Sequence, residues 1–403
     1  MKKIFVLIFL LESLGSQAQF KYDGVKYATV FPKDLCSKLS DEKNYLLLDV
    51  RSREEFADSA SGLNIGHLKD ALNINISELG KRIKELERYK NLPIFIYCSH
   101  SQRSRRASRM LADSGFTRVI NINGGMTAIH QLEASNCGRA KITSNSPYAV
   151  IAAQELMQKL SNDPNSIFLL DVRSDSAFRK ISLDAEENAM GYFTQSVHIP
   201  YSNLEAQLKR IPADKEIVII DLFGDDAYKA TDMLYRNGHK KTAVLLEGIE
   251  RLLLTDRQEL PGLEKYFQLT TPFGILSSVD FERYAAAHPE LLSLDVRTTD
   301  EFNSKHADYW RNIGHLVNAI NIPVKNLEAG LITLESYKNK PVVVYAFSGN
   351  SNAYDAAYLL SKKGFSNVQV LAGGIFNIRW TAANSPGHDI LGKWVTDIPE
   401  PNR

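Results

Sequence analysis

The six residues Leu46-Leu47-Leu48-Asp49-Val50-Arg51 return as Phe168-Leu169-Leu170-Asp171-Val172-Arg173 and again as Leu292-Ser293-Leu294-Asp295-Val296-Arg297, the aspartates spaced by 122 and then 124 positions. Three further blocks follow in the same order each time. The first is Gly66-His67 with Ala71-Leu72-Asn73-Ile74, then Gly191-Tyr192 with Ser196 to Pro200, then Gly314-His315 with Ala319 to Pro323. Next comes an apolar run, Pro93 to Tyr97, Glu216 to Ile220 and Pro341 to Tyr345, followed by a loop and a helical pattern. Each copy ends on Gly124-Gly125, Glu247-Gly248 or Gly373-Gly374. A period above 100 residues exceeds that of solenoids, whose units need neighbours to bury their faces, so each copy is expected to be a self-standing domain.

Short β-branched runs alternate with helical patterns such as Ala107, Met110 and Leu111, whose spacing puts them on one helix face. That alternation predicts an α/β fold, each copy a parallel sheet flanked by helices. The expected divisions are 19–140, 141–265 and 266–403, joined by the Ser-, Asn- and Gly-rich stretch from Ser135 to Pro147 and by the stretch from Leu260 to Gly274. Residues 1–18 read as an export signal: Lys2 and Lys3, the apolar run Ile4 to Leu11, then small and polar residues to Ala18, where cleavage is expected. No later stretch reaches the ~18 apolar residues of a membrane helix, so the mature chain is expected to be exported, periplasmic or secreted, without a span.

Of the 403 residues 44% are hydrophobic and 24% charged, an ordinary globular balance. Lys2 and Lys3 outweigh Glu12 in the signal, so the remainder has no net charge, and nucleic acid is not an expected partner. Nine histidines and three cysteines show no metal-ligand spacing, and no cofactor is implied.

The chemistry is concentrated after Ile94 to Tyr97, in Cys98-Ser99-His100-Ser101-Gln102-Arg103-Ser104. A loop that leaves a parallel strand and enters a helix aims several N–H groups and the positive helix end at one point. An anion belongs there, and a thiol there is favoured as thiolate, helped by Arg103, Arg105 or Arg106. Arg103 also offers a planar fork for an oxyanion.

These residues resemble the rhodanese-like sulfurtransferases. The features that carry the resemblance are Asp49-Val50-Arg51 with Glu55-Phe56, the Gly66-His67 block, Cys98-x4-Arg103-Ser104, and Val119 to Gly125. The resemblance covers three tandem copies and implies three rhodanese-like domains, with Cys98 and Arg103 catalytic and Ser99, His100, Ser101, Gln102 and Ser104 binding substrate. It implies a Cys98 persulfide that takes sulfur from thiosulfate or another persulfide and passes it to a thiol or cyanide; a periplasmic redox partner is also an expected partner. Asp221 and Ala346 align with Cys98 in copies two and three, which are therefore expected to be inactive, Asp221 repelling anions. Ser101 stands where many family members carry Gly, a strained choice if φ is positive there.

Asp49, Arg51 and His67 recur, with their counterparts, in copies lacking the thiol, so a structural role is expected for them. His100 either positions an acceptor, supplies a proton, or has no role. Cys36 and Cys137 leave two alternatives, a bridge across the ends of domain one or two free thiols. Two other functions compete: a binding scaffold built from these domains, and a cysteine phosphatase or arsenate reductase, which the Cys-x4-Arg spacing disfavours because a phosphate cradle needs Cys-x5-Arg.

Overall fold

The computed structural model describes residues 26–349, 351–385 and 387–399; the expected export signal lies outside them. In the first repeat the strands are β1 (Ala28–Val30), β2 (Leu46–Asp49), β3 (His67–Leu68), β4 (Leu72–Asn73), β5 (Ile94–Tyr97), β6 (Val119–Ile122) and β7 (Ile142–Thr143). Five of them form an all-parallel sheet in the order β1-β6-β5-β2-β4. Both central strands, Leu46–Asp49 and Ile94–Tyr97, are buried at every residue, because helices cover both faces. This is why they read as unbroken apolar runs.

The second repeat has β8 (Ala149–Ile151), β9 (Ile167–Asp171), β10 (Tyr192–Phe193), β11 (Val197–His198), β12 (Glu216–Ile220), β13 (Thr242–Leu245) and β14 (Phe267–Gln268). The third has β15 (Gly274–Leu276), β16 (Leu292–Asp295), β17 (His315–Leu316), β18 (Ile320–Asn321), β19 (Pro341–Tyr345), β20 (Asn367–Leu371) and β21 (Val395–Thr396). Their five-stranded sheets run β8-β13-β12-β9-β11 and β15-β20-β19-β16-β18, the same topology twice more.

The remaining strands form small antiparallel pairs, β3 with β7, β10 with β14 and β17 with β21. Each returns the tail of a repeat onto its Gly-His or Gly-Tyr block. A Cβ on Gly66, Gly191 or Gly314 would lie 2.5, 2.5 or 2.2 Å from the carbonyl oxygen of Thr143, Gln268 or Thr396. All three glycines also have positive φ, so close approach and backbone conformation both demand glycine. The same pairing carries the tails of repeats one and two to Thr143 and Gln268, past residues 140 and 265.

Residues 26–271 pack as one compact unit, and the described residues from Pro272 onward form another. Leu35, Ile65 and Ile129 of repeat one share a single buried apolar cluster with Val150, Tyr228 and Leu246 of repeat two. The sequence shows each repeat's own strands but not which outer face is apolar enough to be covered by a neighbour.

Helix α1 (Leu35–Ser40) carries Cys36, and α2 (Gln102–Asp113), which follows the loop after β5, is followed by α3 (Gly125–His130) and α4 (Cys137–Ala140). Cys36 and Cys137 are joined in a disulfide with their Cα atoms 6.2 Å apart, closing a loop with a sequence separation of 101. Beside it Arg139 donates to His130 Nδ1 and, through Nη2, to Val150 O at 2.9 Å, which links repeat one to repeat two. His130 Nε2 donates to Ile65 O at 2.7 Å. Burial first, and the Arg139 charge second, push the His130 imidazole down to about 3.

Two outcomes follow. Reduction of Cys36–Cys137 should destabilise the unit of residues 26–271 by ~4 to 5 kcal/mol at most, the chain-entropy limit for so long a loop, read as a lower urea midpoint. His130 is neutral in the fold, so its contribution is complete above the unfolded value near 6.5 and is lost as pH falls towards 3. Urea midpoints at pH 7, 6 and 5 should fall, by up to about 1.4 kcal/mol per pH unit from this group, and His130→Gln should flatten that slope.

Candidate functional site

Strand β5 delivers Tyr97 and then Cys98 to the carboxyl end of the sheet, and the loop turns at Ser101 into α2. Cys98 O accepts from Met126 N at 2.9 Å, and Ser99 O accepts from Thr127 N at 3.1 Å. The contact is so close that a Cβ on Gly125 would lie 2.2 Å from Cys98 O, which explains the closing glycine of the fourth sequence block. With its carbonyls held outward by α3, the loop turns N–H groups inward. Ser101 N donates to Cys98 Sγ at 3.1 Å.

Ser101 is buried with φ +90°, and Gly224 takes the same conformation, φ +99°, in repeat two. A serine there carries backbone strain of order 1 kcal/mol or more. Its hydroxyl offsets this by donating to Asn123 Oδ1 at 3.0 Å and accepting from Gly124 N. The Cys98 side chain is only 1% exposed, and its Sγ lies 3.7 Å from Ser104 Oγ. Ser104 Oγ lies 2.7 Å from Asn121 Oδ1 and 3.1 Å from Ser101 O, which ties the start of α2 to both the loop and β6. Gln102 is exposed at the first turn of α2.

The free oxyanion fork expected of Arg103 is not what the fold presents. Arg103 Nη1 and Nη2 donate to Glu55 Oε2 and Oε1 at 2.6 and 2.7 Å, and Nη2 also donates to Ser99 Oγ at 3.0 Å. Glu55 is aimed by a capping box with Ser52 at the start of the helix Arg53–Phe56. Burial works against the Glu55 charge, but the Arg103 hydrogen bond and charge hold the carboxyl below its usual range. Arg103 therefore braces the loop from its flank through Glu55 and Ser99.

His100 is bonded on both nitrogens. Nδ1 is 3.0 Å from Ser99 Oγ, and Nε2 is 2.5 Å from Glu247 Oε1 of the second repeat. Glu247 Oε1 also accepts from Thr127 Oγ1 at 2.5 Å, and Oε2 accepts from Arg251 Nε at 2.6 Å. The second repeat thus reaches directly into the loop of the first.

The other two loops are built on the same backbone. In repeat two, α5 (Asp225–Arg236) and α6 (Gly248–Leu254) take the places of α2 and α3, with Ile249 N donating to Asp221 O at 3.0 Å and Glu250 N to Leu222 O at 2.9 Å. Asp221 does not stand in the cradle as a bare repelling charge, as expected; it folds into it. Its Oδ1 accepts from Gly224 N at 2.6 Å, and its Oδ2 accepts from Asp226 N and Ala227 N at 2.9 and 3.0 Å. Burial outweighs these bonds and pushes the carboxyl up to about 6. In repeat three, α7 (Ser351–Lys362) and α8 (Gly374–Asn384) hold the loop, Ile375 N donating to Ala346 O at 3.1 Å. Next to Ala346, Phe347 packs edge-on against Trp310, ring centres 5.2 Å apart.

Asp49, Arg51 and His67 form a separate group at the end of β2. Arg51 Nη2 donates to Asp49 Oδ2 at 2.7 Å and to Gly66 O at 2.6 Å, with both side chains fully buried. Burial opposes the Arg51 charge, yet Asp49 holds its pKa above the usual value. Asp171–Arg173 and Asp295–Arg297 repeat the pair at 2.6 Å. His67 stacks on Phe56 with ring centres 3.9 Å apart, as His315 does on Phe302 at 4.0 Å.

The rhodanese-like domain pattern matches residues 32–132, 152–253 and 282–380, more than half of the chain. The chain belongs to the rhodanese family. Among relatives, a protein named sulfurtransferase from Allochromatium vinosum is 31% identical over 96 residues, covering 24% of this chain and 81% of its own length. The uncharacterized protein YqhL of Bacillus subtilis is 38% identical over 79 residues, 20% of this chain, and the match spans 56% of YqhL, about half its length. The crystal structure of a thiosulfate sulfurtransferase from Pseudomonas aeruginosa overlaps 93% of this chain and 70% of its own, with a TM-score of 0.23 and 17% identity.

In this rhodanese-family chain, Glu55, Asn121, Asn123, Thr127 and Glu247 complete the site beyond the loop itself. Glu55 was visible as part of a motif, without its partner. Glu247 carried a signal in the aligned fourth block, where repeats one and three have Gly124 and Gly373 and repeat two has a glutamate at positive φ, +53°. Because Cys98 is so enclosed, its alkylation should depend on reagent size. Iodoacetamide should modify Cys98 in the native protein, whereas a bulky pyrene maleimide should label it at least about tenfold more slowly until the protein is unfolded.

Proposed function

We propose that this chain is a sulfurtransferase that carries a sulfane sulfur as a persulfide on Cys98, taken from thiosulfate or another persulfide and given to a thiophilic acceptor, a thiol or cyanide. The observation that supports this reading is the paired use of one cradle. In repeat two the backbone N–H groups of Gly224, Asp226 and Ala227 close around a carboxylate, while in repeat one the N–H of Ser101, the counterpart of Gly224, points at the Cys98 sulfur. A cradle that satisfies a carboxylate suits a thiolate, a persulfide anion or the oxyanion of a donor equally well.

In the proposed reaction the Cys98 thiolate attacks the outer sulfur of thiosulfate and sulfite leaves with the electron pair of the broken S–S bond. The persulfide anion then rests against the Ser101 N–H and the start of α2 until the acceptor removes its outer sulfur. Repeat two takes no anion, because Asp221 already fills its cradle, and repeat three offers a methyl group at Ala346; both are non-catalytic in this reading. The chain is further proposed to act outside the cytoplasm after loss of residues 1–18, a compartment in which the Cys36–Cys137 bridge persists.

The deciding experiment is mass spectrometry after thiosulfate without acceptor. One added sulfur is expected on the peptide containing Cys98, and none in Cys98→Ser, which should form no thiocyanate from cyanide. An adduct elsewhere with Cys98 unmodified overturns the assignment. Arg103→Ala should lower kcat/KM by ~10 to 100-fold, the equivalent of losing one charge-assisted contact of about 1.5 to 3 kcal/mol, because Ser99 and Glu55 lose their shared partner.

A further inference from the structure

Glu247 breaks a rule that the rest of the molecule keeps. It precedes the glycine that packs on the loop, a position filled by Gly124 and Gly373 in the other repeats, both at positive φ. A glutamate at φ +53° costs free energy that glycine would not, and such residues persist where surrounding contacts over-determine them. Here the contacts are specific: His100 Nε2 at 2.5 Å, Thr127 Oγ1 at 2.5 Å and Arg251 Nε at 2.6 Å. Two of these three partners belong to repeat one. Burial opposes the Glu247 charge, but Arg251 and His100 hold the carboxyl far below its usual range, so it is ionised where it meets the imidazole.

A carboxylate on Nε2 fixes the imidazole as the Nε2–H tautomer and leaves Nδ1 as the basic nitrogen. Nδ1 faces Ser99 Oγ at 3.0 Å, on the residue next to Cys98, and Ser99 Oγ also accepts from Arg103 Nη2. The imidazole is 39% exposed and meets an incoming solute ahead of the more enclosed thiol. The charged groups facing His100 are Glu247 and, further out, Arg251 and Glu250 from repeat two, with the Arg103–Glu55 pair reached through Ser99 from repeat one.

We propose that Glu247 is a positioning residue, supplied by the second repeat, that makes His100 the base for a thiol acceptor in the second half of the transfer. This rests on the Cys98 persulfide reading above. The acceptor R–SH gives its proton to His100 Nδ1 through Ser99 Oγ, and its sulfur attacks the outer sulfur of the persulfide. The bond between Cys98 Sγ and that sulfur breaks, Cys98 leaves as thiolate with the bonding pair, and R–S–S⁻ departs. His100 returns its proton to water. No oxidant or reductant is needed, since one sulfur atom moves between two thiolates. Repeat two, without a nucleophile of its own, is in this arrangement part of the working site.

The test compares two acceptors on Cys98 persulfide preloaded with thiosulfate in the intact protein. Sulfite at pH 8 needs no deprotonation, whereas 2-mercaptoethanol at pH 7 does. Glu247→Gln should slow discharge to the thiol by about 10 to 100-fold, leave discharge to sulfite within about twofold, and recover the wild-type thiol rate above pH of about 9, where the thiol ionises unaided. Glu247→Gly, which restores the residue that suits this backbone, should show the same pattern with a melting temperature no lower than wild type. Equal slowing with both acceptors at every pH would show a merely structural contact and overturn the proposal, as would no slowing with either. If the wild-type protein gains no sulfur on Cys98, the parent reading fails instead, which is a separate outcome from any behaviour of the variants.

Discussion

Two backbone hydrogen bonds, Met126 N to Cys98 O and Thr127 N to Ser99 O, set the terms for the rest of the site. By holding the loop's carbonyls against the start of α3 they leave its N–H groups to converge on one point. The same bonds require a residue without Cβ at Gly125, Gly248 and Gly374, each of which presses against a loop carbonyl at 2.2 to 2.7 Å from where a Cβ would sit. The cradle is therefore a property of the backbone and survives in repeats whatever side chain follows the central strand. What occupies it is free to change. A thiol, a carboxylate and a methyl group stand there in turn.

The repeats diverge at the surroundings of that point more than at the frame. Repeat one keeps Glu55 to hold Arg103, whereas the position of Glu55 in repeat two is Ala177 and that of Arg103 is Asp226. Repeat three keeps Glu301, again in a capping box, but spends it on Arg311 at 2.8 Å, whose guanidinium lies over Trp310 and Phe347. The frame itself is held in all three by the buried Asp–Arg pairs at the end of the second strand. Removing one member of such a pair leaves an uncompensated buried charge, so these residues are retained irrespective of whether the loop carries a nucleophile.

Much of this was legible in the chain. Central strands buried on both faces are apolar over most of their length, so β2 and β5 and their counterparts announced themselves, and the threefold recurrence of Asp-Val-Arg and of the closing glycine set their order. The placement of Cys98 between a parallel strand and a helix was legible because an apolar β-branched run ends at Tyr97 and a helical spacing starts within a few residues. The partnership of Arg103 with Glu55 was not, since the two are 48 residues apart and a free guanidinium and an engaged one are spelled alike. Nor was the fate of Asp221, because its carboxylate turning inward depends on the positive φ of Gly224 and the N–H groups it exposes.

By itself the sequence determined the local things: where strands run, where glycine is compulsory, which repeat has a cysteine after its central strand, and that two further cysteines bracket the first repeat. These follow from the side-chain pattern and backbone limits of neighbouring residues, interactions that a linear string records directly. Tertiary structure alone decided that repeats one and two share one apolar cluster, that Cys36 meets Cys137, and that Glu247 reaches His100 across 147 positions. Each of these joins groups whose separation along the chain says nothing of their separation in space. Their free energy comes from burying surface and pairing charge only after the two repeats have folded and met.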